Sequence, residues 1–338
     1  MPDSSLGLLI LVIILAVGFG IVNGFNDAAN AIAPAIGTRA LSPRKALIIA
    51  AISNFAGAAT GTAVAQTIGK GILVSEAISY PTIIAALAAI IIWGTLATLA
   101  GLPISLTHGF VAGLAGAGMA IVGGGAVIWS VMGRVLLAVV TAPVLGFTGG
   151  FAFMVVMLWL FRRSLPETMR VLFSRLQILS VVFVAYAHGK NDGQMPMGII
   201  TMALVIFYHD ISLWERLSLL DNLWWVIVIS ALAISFGTAT GGWRVIKTLG
   251  IRVTTLRPVH GFTAQASAAA VIETASQLGI PVSTTHCISS AIMGVGATRR
   301  FSAVRWGVAG NIITAWIVTF PICGTLGYLI SWLLKLVV

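Results

Sequence analysis

Charge is what this chain has least of. Asp, Glu, Lys and Arg make up 8% of its 338 residues, against about 25% in a soluble domain. So few charges cannot coat a water-facing surface, and that excludes a soluble globular enzyme or binding module. Acids are the scarcest, with 9 Asp and Glu against 19 Lys and Arg and a formal net charge of +10. The bases are scattered through short loops and do not gather on one face. The positive balance is therefore no nucleic-acid footprint, and no nucleic-acid partner is expected. There are only two cysteines, Cys287 and Cys323, both in apolar context. A disulfide framework is excluded, and free buried thiols are expected. Leu6–Val22 lacks a basic leader and a small-residue cleavage site, so it reads as a first span and not as a signal peptide.

Apolar length is what the chain has in abundance. It is 59% hydrophobic, with a mean hydropathy of +1.05. The runs Leu6–Val22, Thr82–Ala100, Val135–Leu160 and Leu223–Phe236 approach the roughly 20 residues of a bilayer crossing. The expected fold is an all-α, polytopic transmembrane helical bundle in the cell membrane.

The chain repeats itself. Gly24-Phe25-Asn26-Asp27 returns as Gly189-Lys190-Asn191-Asp192, and Gly101-Leu102-Pro103-Ile104-Ser105-Leu106-Thr107-His108 returns as Gly279-Ile280-Pro281-Val282-Ser283-Thr284-Thr285-His286. The register holds onward, pairing Gly118 with Gly296, Thr141 with Thr319, Pro143 with Pro321 and Gly146 with Gly324. A weaker echo pairs Thr67-Ile68-Gly69 with Thr248-Leu249-Gly250. The boundary falls near Phe161–Arg175, giving repeats over residues 1–165 and 166–338. Loop charge supplies orientation. Arg39–Lys45, Phe161–Leu176, Trp243–Arg257 and Ala297–Arg305 are basic, whereas His209–Asp221 is acidic. With the basic loops placed inside the cell, one consistent path has five crossings per half. Equivalent loops then fall on opposite sides, the plan of an inverted-topology repeat with its site near the midplane. Gly101–Pro103 and Gly279–Pro281 are alternatively the tips of re-entrant hairpins.

Asn26 and Asp27 lie within the long apolar stretch Leu6–Ile36, and Asn191 and Asp192 lie within Ile178–Phe207. Glycine stands beside each polar pair, and Pro34 and Pro196 follow. This predicts helices broken at membrane depth, which is tolerated where backbone lines a polar cavity. A carboxylate there marks a functional site by default. The bland alternative, an Asp that caps a helix or balances Lys190, is weakened by the duplication. Ser105, Thr107 and His108 match Ser283, Thr285 and His286, with Thr284 an extra hydroxyl. Each group follows Gly-x-Pro, which suits a helix start, where free N–H groups favour an anion. Either cluster alone would read as plain N-capping. His108 and His286 stay open between anion contact, proton relay and backbone capping. Lys190 stays open between attracting an anion and balancing Asp192.

An anion beside Asp27 and Asp192 is repelled by about 4 kcal/mol per like-charge pair at about 4 Å and an effective dielectric of about 20. Binding needs a cation, or a proton on the cargo or the acid. Asn and Asp oxygens suit a hard cation such as Na+, with Asn26, Asp27, Asn191 and Asp192 as its ligands. Hydroxyls and helix starts suit an oxyanion. Phosphate is favoured over sulfate because it keeps a proton near neutral pH.

At these motifs the chain resembles the inorganic phosphate transporter (PiT) family. The likeness rests on Gly24-Phe25-Asn26-Asp27-Ala28-Ala29-Asn30-Ala31, on His188-Gly189-Lys190-Asn191-Asp192, on Pro281-Val282-Ser283-Thr284-Thr285-His286 and on Gly241-Gly242-Trp243-Arg244-Val245-Ile246-Lys247-Thr248. The resemblance implies a phosphate importer driven by symport with Na+ or H+, with inverted repeats, no cofactor and a homodimeric state. It further implies that Asp27, Ser105, Thr107, Asp192, Ser283, Thr284 and Thr285 bind phosphate. Asn26, Asp27, Asn30, Asn191 and Asp192 would bind the coupling cation. Lys190, His108, His286, Gln66 and Gln265 are accessory candidates. The chain departs from the family pattern at Met195, where a second asparagine is expected. It departs also at Gln66 and Gln265, where glutamates are expected, at Leu106, which lacks the hydroxyl of Thr284, and in its short central loop. Competing functions are transport of sulfate, transport of a divalent metal held by Asp27 and Asp192, and an intramembrane enzyme, for which no nucleophile–base spacing appears.

Overall fold

The computed structural model describes residues 5–337. Thirteen α-helices run through them: α1 (Leu6–Gly37), α2 (Pro43–Ala58), α3 (Ala63–Gly71), α4 (Tyr80–Ala100), α5 (Leu106–Val122), α6 (Trp129–Leu160), α7 (Pro166–Asp192), α8 (Gln194–Tyr208), α9 (Trp224–Thr240), α10 (Trp243–Lys247), α11 (Pro258–Gln277), α12 (Thr284–Ala297) and α13 (Trp306–Val337). A π-helical turn, Thr248–Arg252, extends α10. Among the described residues the only β pairing is an isolated bridge between Leu73 and Val127. An all-helical architecture is one of the two a bilayer permits, the other being a closed β-barrel, because a helix satisfies each backbone group within its own segment.

Local sequence sets the helix starts. Pro43, Pro166 and Pro258 open α2, α7 and α11, where a missing N–H costs nothing. Ser79 caps α4 by accepting from Thr82 N at 3.4 Å. Five helices are long and apolar enough to cross a membrane, or up to seven if the bent pairs α2 with α3 (71°) and α9 with α10 (60°) are each one span. α6 and α13 leave Leu137, Val140, Ile317 and Leu333 exposed, as lipid-facing helices do. The path is therefore not ten equal crossings. α5 and α12 have 17 and 14 residues, roughly 25 and 21 Å of helix, short of a core about 30 Å thick.

Those two short helices are the return limbs of hairpins. α4 turns into α5 at Gly101 (φ 75°), and α11 turns towards α12 at Gly279 (φ 66°). Only glycine holds that left-handed backbone freely. Each turn is tied to the opposite half of the chain. Thr248 Oγ1 donates to Gly101 O at 2.9 Å, and Thr67 Oγ1 donates to Gly279 O at 2.8 Å. The weak Thr-x-Gly echo in the sequence is this pair of matched hydrogen bonds.

Packing is matched in the same way. α1 lies on α9 as α7 lies on α2, and α13 lies on α5 as α12 lies on α6. The glycines before the Asn-Asp pairs make the first contact possible. A Cβ at Gly24 would stand 2.0 Å from Ile234 O, and one at Gly189 would stand 2.1 Å from Asn54 O.

The two expected helix breaks are slight or absent. α7 ends at Asp192 and α8 begins at Gln194, but Gly193 between them keeps right-handed helical backbone (φ −64°, ψ −23°) and its N–H still bonds Gly189 O. α1 runs unbroken through Asn26, Asp27 and Pro34. Pro34 lies one turn from the end of α1, so the helix forfeits little there. The free thiols are as expected, Cys287 and Cys323 being buried and unbridged.

Candidate functional site

Three helix segments meet at the Asn-Asp pairs: the middle of α1, the last turn of α7 and the first turn of α12. Asp27 and Asp192 are 2% and 1% exposed, so neither charge reaches water. Thr285 Oγ1 donates to Asp27 Oδ1 at 2.9 Å. Thr284 Oγ1 lies 3.2 Å from Asp27 Oδ2 and 3.3 Å from Asp192 Oδ2. One hydroxyl proton is thus offered to two carboxylates. Asn30 Nδ2 donates to the oxygens of both threonines, at 3.3 and 3.0 Å. Asn191 Nδ2 donates to Asp192 Oδ1 at 2.5 Å and to Val282 O at 2.8 Å.

Asn26 and Asn191 are each fixed by a hydroxyl from the hairpin limb ahead of the Gly-x-Pro turn. Asn26 Nδ2 donates to Thr98 Oγ1 at 2.6 Å, and Ser276 Oγ donates to Asn191 Oδ1 at 3.3 Å. Thr98 and Ser276 were missed in the sequence, although each stands three residues before its turn glycine. That shared offset was the available signal.

His188 was missed as well. It lies one helical turn before Asp192, on the same face of α7. Its Nε2 is 3.2 Å from Asp192 Oδ2 and 3.5 Å from Asp27 Oδ2. Its tautomer follows from a chain of hydrogen bonds. Thr238 Oγ1 donates to Ile234 O at 2.9 Å and so accepts from Asn54 Nδ2 at 2.7 Å. Asn54 Oδ1 then faces His188 Nδ1 at 2.8 Å, so Nδ1 carries the proton. A bare Nε2 lone pair would oppose two carboxylates. A second proton, or a cation shared with the acids, resolves that opposition. One atom each of Asp27, His188 and Asp192 lie within 4.8 Å of one another, a grouping able to hold a metal ion.

Among the described residues several buried asparagine oxygens of α1 have no donor, namely Asn26 Oδ1 and Asn30 Oδ1, and Asn23 Oδ1 one turn before Asp27. Asn23 occupies in the first repeat motif the place that His188 holds in the second. A buried acceptor without a donor costs about 1–3 kcal/mol, and a bound cation satisfies it.

The remaining candidates divide. Ser105 and Ser283 give their oxygens to His108 N (3.2 Å) and His286 N (3.1 Å), so they act as N-caps of α5 and α12. Thr107 is buried in the first turn of α5, at the position matching Thr285. His108 and His286 meet edge to face with centroids 5.1 Å apart, and His286 also packs on Trp316 at 4.0 Å. Neither ring nitrogen of His108 has a hydrogen-bond partner among the described residues. Lys190 turns away and pairs with Glu273 of α11. Gln265 is buried; it accepts from Ser180 Oγ at 2.8 Å and donates to Ala31 O at 2.6 Å, joining α11 to α7 and α1. Gln66 is exposed on α3, outside the buried cluster. Met195 is fully buried among apolar side chains, and the polar contact at this turn is made by its neighbour. Gln194 Oε1 accepts from Val64 N (2.7 Å) and Ala65 N (3.1 Å), capping α3.

A helical, multi-pass membrane protein whose two chain halves deliver paired acids to one buried polar centre belongs to the class of membrane carriers. Comparison with known proteins supplies the family. Residues 23–327 match the phosphate transporter family, and the chain belongs to it. It is 39% identical to a probable low-affinity inorganic phosphate transporter of Bacillus subtilis, over 99% of both chains. It is 30% identical to a putative phosphate permease of Thermococcus kodakarensis, over 97% of this chain and 98% of that one. Among solved structures it resembles one described as the sodium-dependent phosphate transporter, with a TM-score of 0.88, 28% identity and coverage of 98% of this chain and 100% of that one. The protein is a transporter, and the intramembrane-enzyme alternative falls.

Proposed function

We propose that this chain imports inorganic phosphate by symport with Na+, and that residues 1–165 and 166–338 act as inverted repeats around the Asp27–Asp192 centre. The observation that carries this is the meeting of two water-excluded carboxylates under one shared hydroxyl, Thr284, amid asparagine oxygens that lack donors. Two acids this close repel each other and repel a phosphate. Positive charge must therefore enter with the anion.

In this reading Asn26, Asp27, Asn30, Asn191 and Asp192 hold the cation. Thr284 and Thr285, with Thr107 at the matching position of α5, and the N–H groups of the first turns of α5 and α12 receive phosphate oxygens. A phosphate that keeps a proton donates it to a carboxylate. The matched packing and the Thr67–Gly279 and Thr248–Gly101 bonds support two repeats that rock against each other. Sodium is favoured by the donor-free oxygens, which suit a hard cation, and by the described dependence of the similar solved structure.

A second reading has its own observation. The Asp27–His188–Asp192 grouping offers two carboxylates and an imidazole, donors suited to a divalent ion, which would then accompany phosphate. Uptake of labelled phosphate into proteoliposomes separates these readings. Imposed gradients of Na+ or pH, and chelation of divalent ions, form the arms. Sodium symport predicts uptake that rises with an inward Na+ gradient and survives chelation. Abolition by chelation favours the divalent ion, and indifference to every gradient ends the symport proposal. The homodimer belongs to the same proposal and is checked by the mass of the detergent-solubilised protein.

A further inference from the structure

The site described so far lies at the centre of the bundle. A second polar feature lies at its edge, in the connection from α12 to α13 and the strand-like stretch after the π-helical turn. There a cleft of about 660 Å³ is lined by Thr254, Thr255, Arg299, Arg300 and Arg305 with Ser302 and Ala303. Three guanidinium groups face one cleft, and none of them forms an ion pair among the described residues. Arg305 is held in place from behind. Its Nη1 donates to Ile251 O at 2.8 Å and Arg252 O at 3.0 Å, and its backbone N donates to Val253 O at 2.9 Å. The floor is fixed by Thr254 Oγ1, which donates to Ala303 O at 2.9 Å. Arg299 and Arg300 are exposed and free to close on a ligand.

The rim says what kind of ligand. Phe301 and Trp306 stack with centroids 4.7 Å apart. Trp306 Nε1 donates to Phe301 O at 2.9 Å, which locks the pair. Both rings are exposed, as is Ile251, whose carbonyl holds Arg305. Trp306 is also the first residue of a membrane-span candidate. Aromatic rings in that position sit at the headgroup level of a bilayer. The matching connection in the first half, between α5 and α6, runs Gly123-Gly124-Gly125-Ala126-Val127-Ile128 and contains no base. A role demanded by the duplicated transport machinery would be expected on both halves. This one is not, and the basic loops are those the charge pattern assigns to the inner leaflet, where anionic lipids lie.

We propose that the Arg299–Arg300–Arg305 cleft binds the phosphate headgroup of an anionic phospholipid, with the Phe301–Trp306 pair and Ile251 against its acyl chains. Guanidinium groups suit phosphate oxygens because their paired N–H donors match them bidentately. A free phosphate ion shares that chemistry, and the test must tell the two apart.

The full chain in neutral detergent is stripped of lipid, and native mass spectrometry scores binding of phosphatidylglycerol, phosphatidylcholine and inorganic phosphate. Phosphatidylglycerol is expected to bind roughly tenfold or more tightly than phosphatidylcholine, in line with two or three bases at an anionic surface. In R299Q/R300Q that preference should fall to parity, while R299K/R300K, which keeps the charge but not the paired donors, should fall between parity and the unaltered chain. The exposed position of both side chains leaves folding intact, and Trp306→Ala provides a second variant that weakens both lipids together. Equal binding of the two lipids, an unchanged preference in R299Q/R300Q, or displacement of phosphatidylglycerol by millimolar inorganic phosphate would each overturn the proposal.

Discussion

At the scale of single residues, neighbours in sequence have divided the labour. Ser283 caps α12 while Thr284 and Thr285 point at the acids. Their removal should therefore be felt in different measurements. Thr284→Val takes a hydroxyl from two carboxylates, and a hydrogen bond to a charged group contributes about 1.5–3 kcal/mol. Phosphate uptake per folded molecule should fall roughly tenfold to hundredfold, whatever loss of thermal stability accompanies it. Ser283→Ala should instead cost about 1 kcal/mol of stability, read from thermal unfolding in detergent, and keep most of the uptake. Asp27→Asn and Asp192→Asn leave the shape of the centre and remove its charge. Each should lower gradient-driven uptake by about a hundredfold or more, and wild-type uptake by either variant would count against the centre.

Lys190 belongs to the same scale and was not decidable from its neighbours. It stands beside Asn191 and Asp192 in sequence, yet consecutive residues on a helix point about 100° apart. Its partner is Glu273, on another helix. The side chains are 14% and 30% exposed, so the pair is screened but not free in water. Lys190→Met and Glu273→Gln should each destabilise the fold by about 1–2 kcal/mol, and the double variant by less than their sum. Additive losses in a double-mutant cycle of melting temperatures would mean that the two groups do not interact.

At the scale of elements, close helix approach is the feature that residue identity encodes most directly. Gly24 and Gly189 each face a carbonyl of the helix opposite. Gly24→Ala and Gly189→Ala should each force the helices apart, at a cost of about 1–3 kcal/mol. Because the two contacts are matched, the two melting temperatures should fall by similar amounts; a large disparity would show that the contacts are not equivalent. The hairpins α4–α5 and α11–α12 explain why a count of apolar runs was a poor guide to crossings. A re-entrant limb is apolar but short, and hydropathy registers the first property more readily than the second. The Asn-Asp pairs leave their helices nearly intact for a related reason. Gly193 keeps helical backbone and lies close against Ala58 of α2, just as α1 packs on α9 along Gly24.

At the scale of the whole molecule, the proposed symport would have the centre couple two ligands of opposite sign. If cation and phosphate each relieve the repulsion felt by the other, their affinities are linked reciprocally. The factor by which saturating Na+ tightens phosphate binding should equal the factor by which phosphate tightens Na+ binding. Isothermal titration of the purified protein checks this, and phosphate affinity independent of Na+ would remove the linkage.

Composition was enough for the helical membrane class, because a chain with so little charge and such long apolar runs has no other solvent. The duplication was legible too, since matched residues in order are visible without coordinates. Both Asn-Asp pairs stood out, because an acid in an apolar run is costly. Which groups share the centre was legible only in the packed helices. His188, Thr98 and Ser276 reach it, with Asn54 holding His188, while Lys190 and Gln66 do not. A side chain's partners depend on helix phase and on helix packing across more than a hundred residues of chain, as in the contact of Asn30 with Thr284 and Thr285. Composition and spacing carry the cost of burying a charge, but they do not carry the direction in which it points.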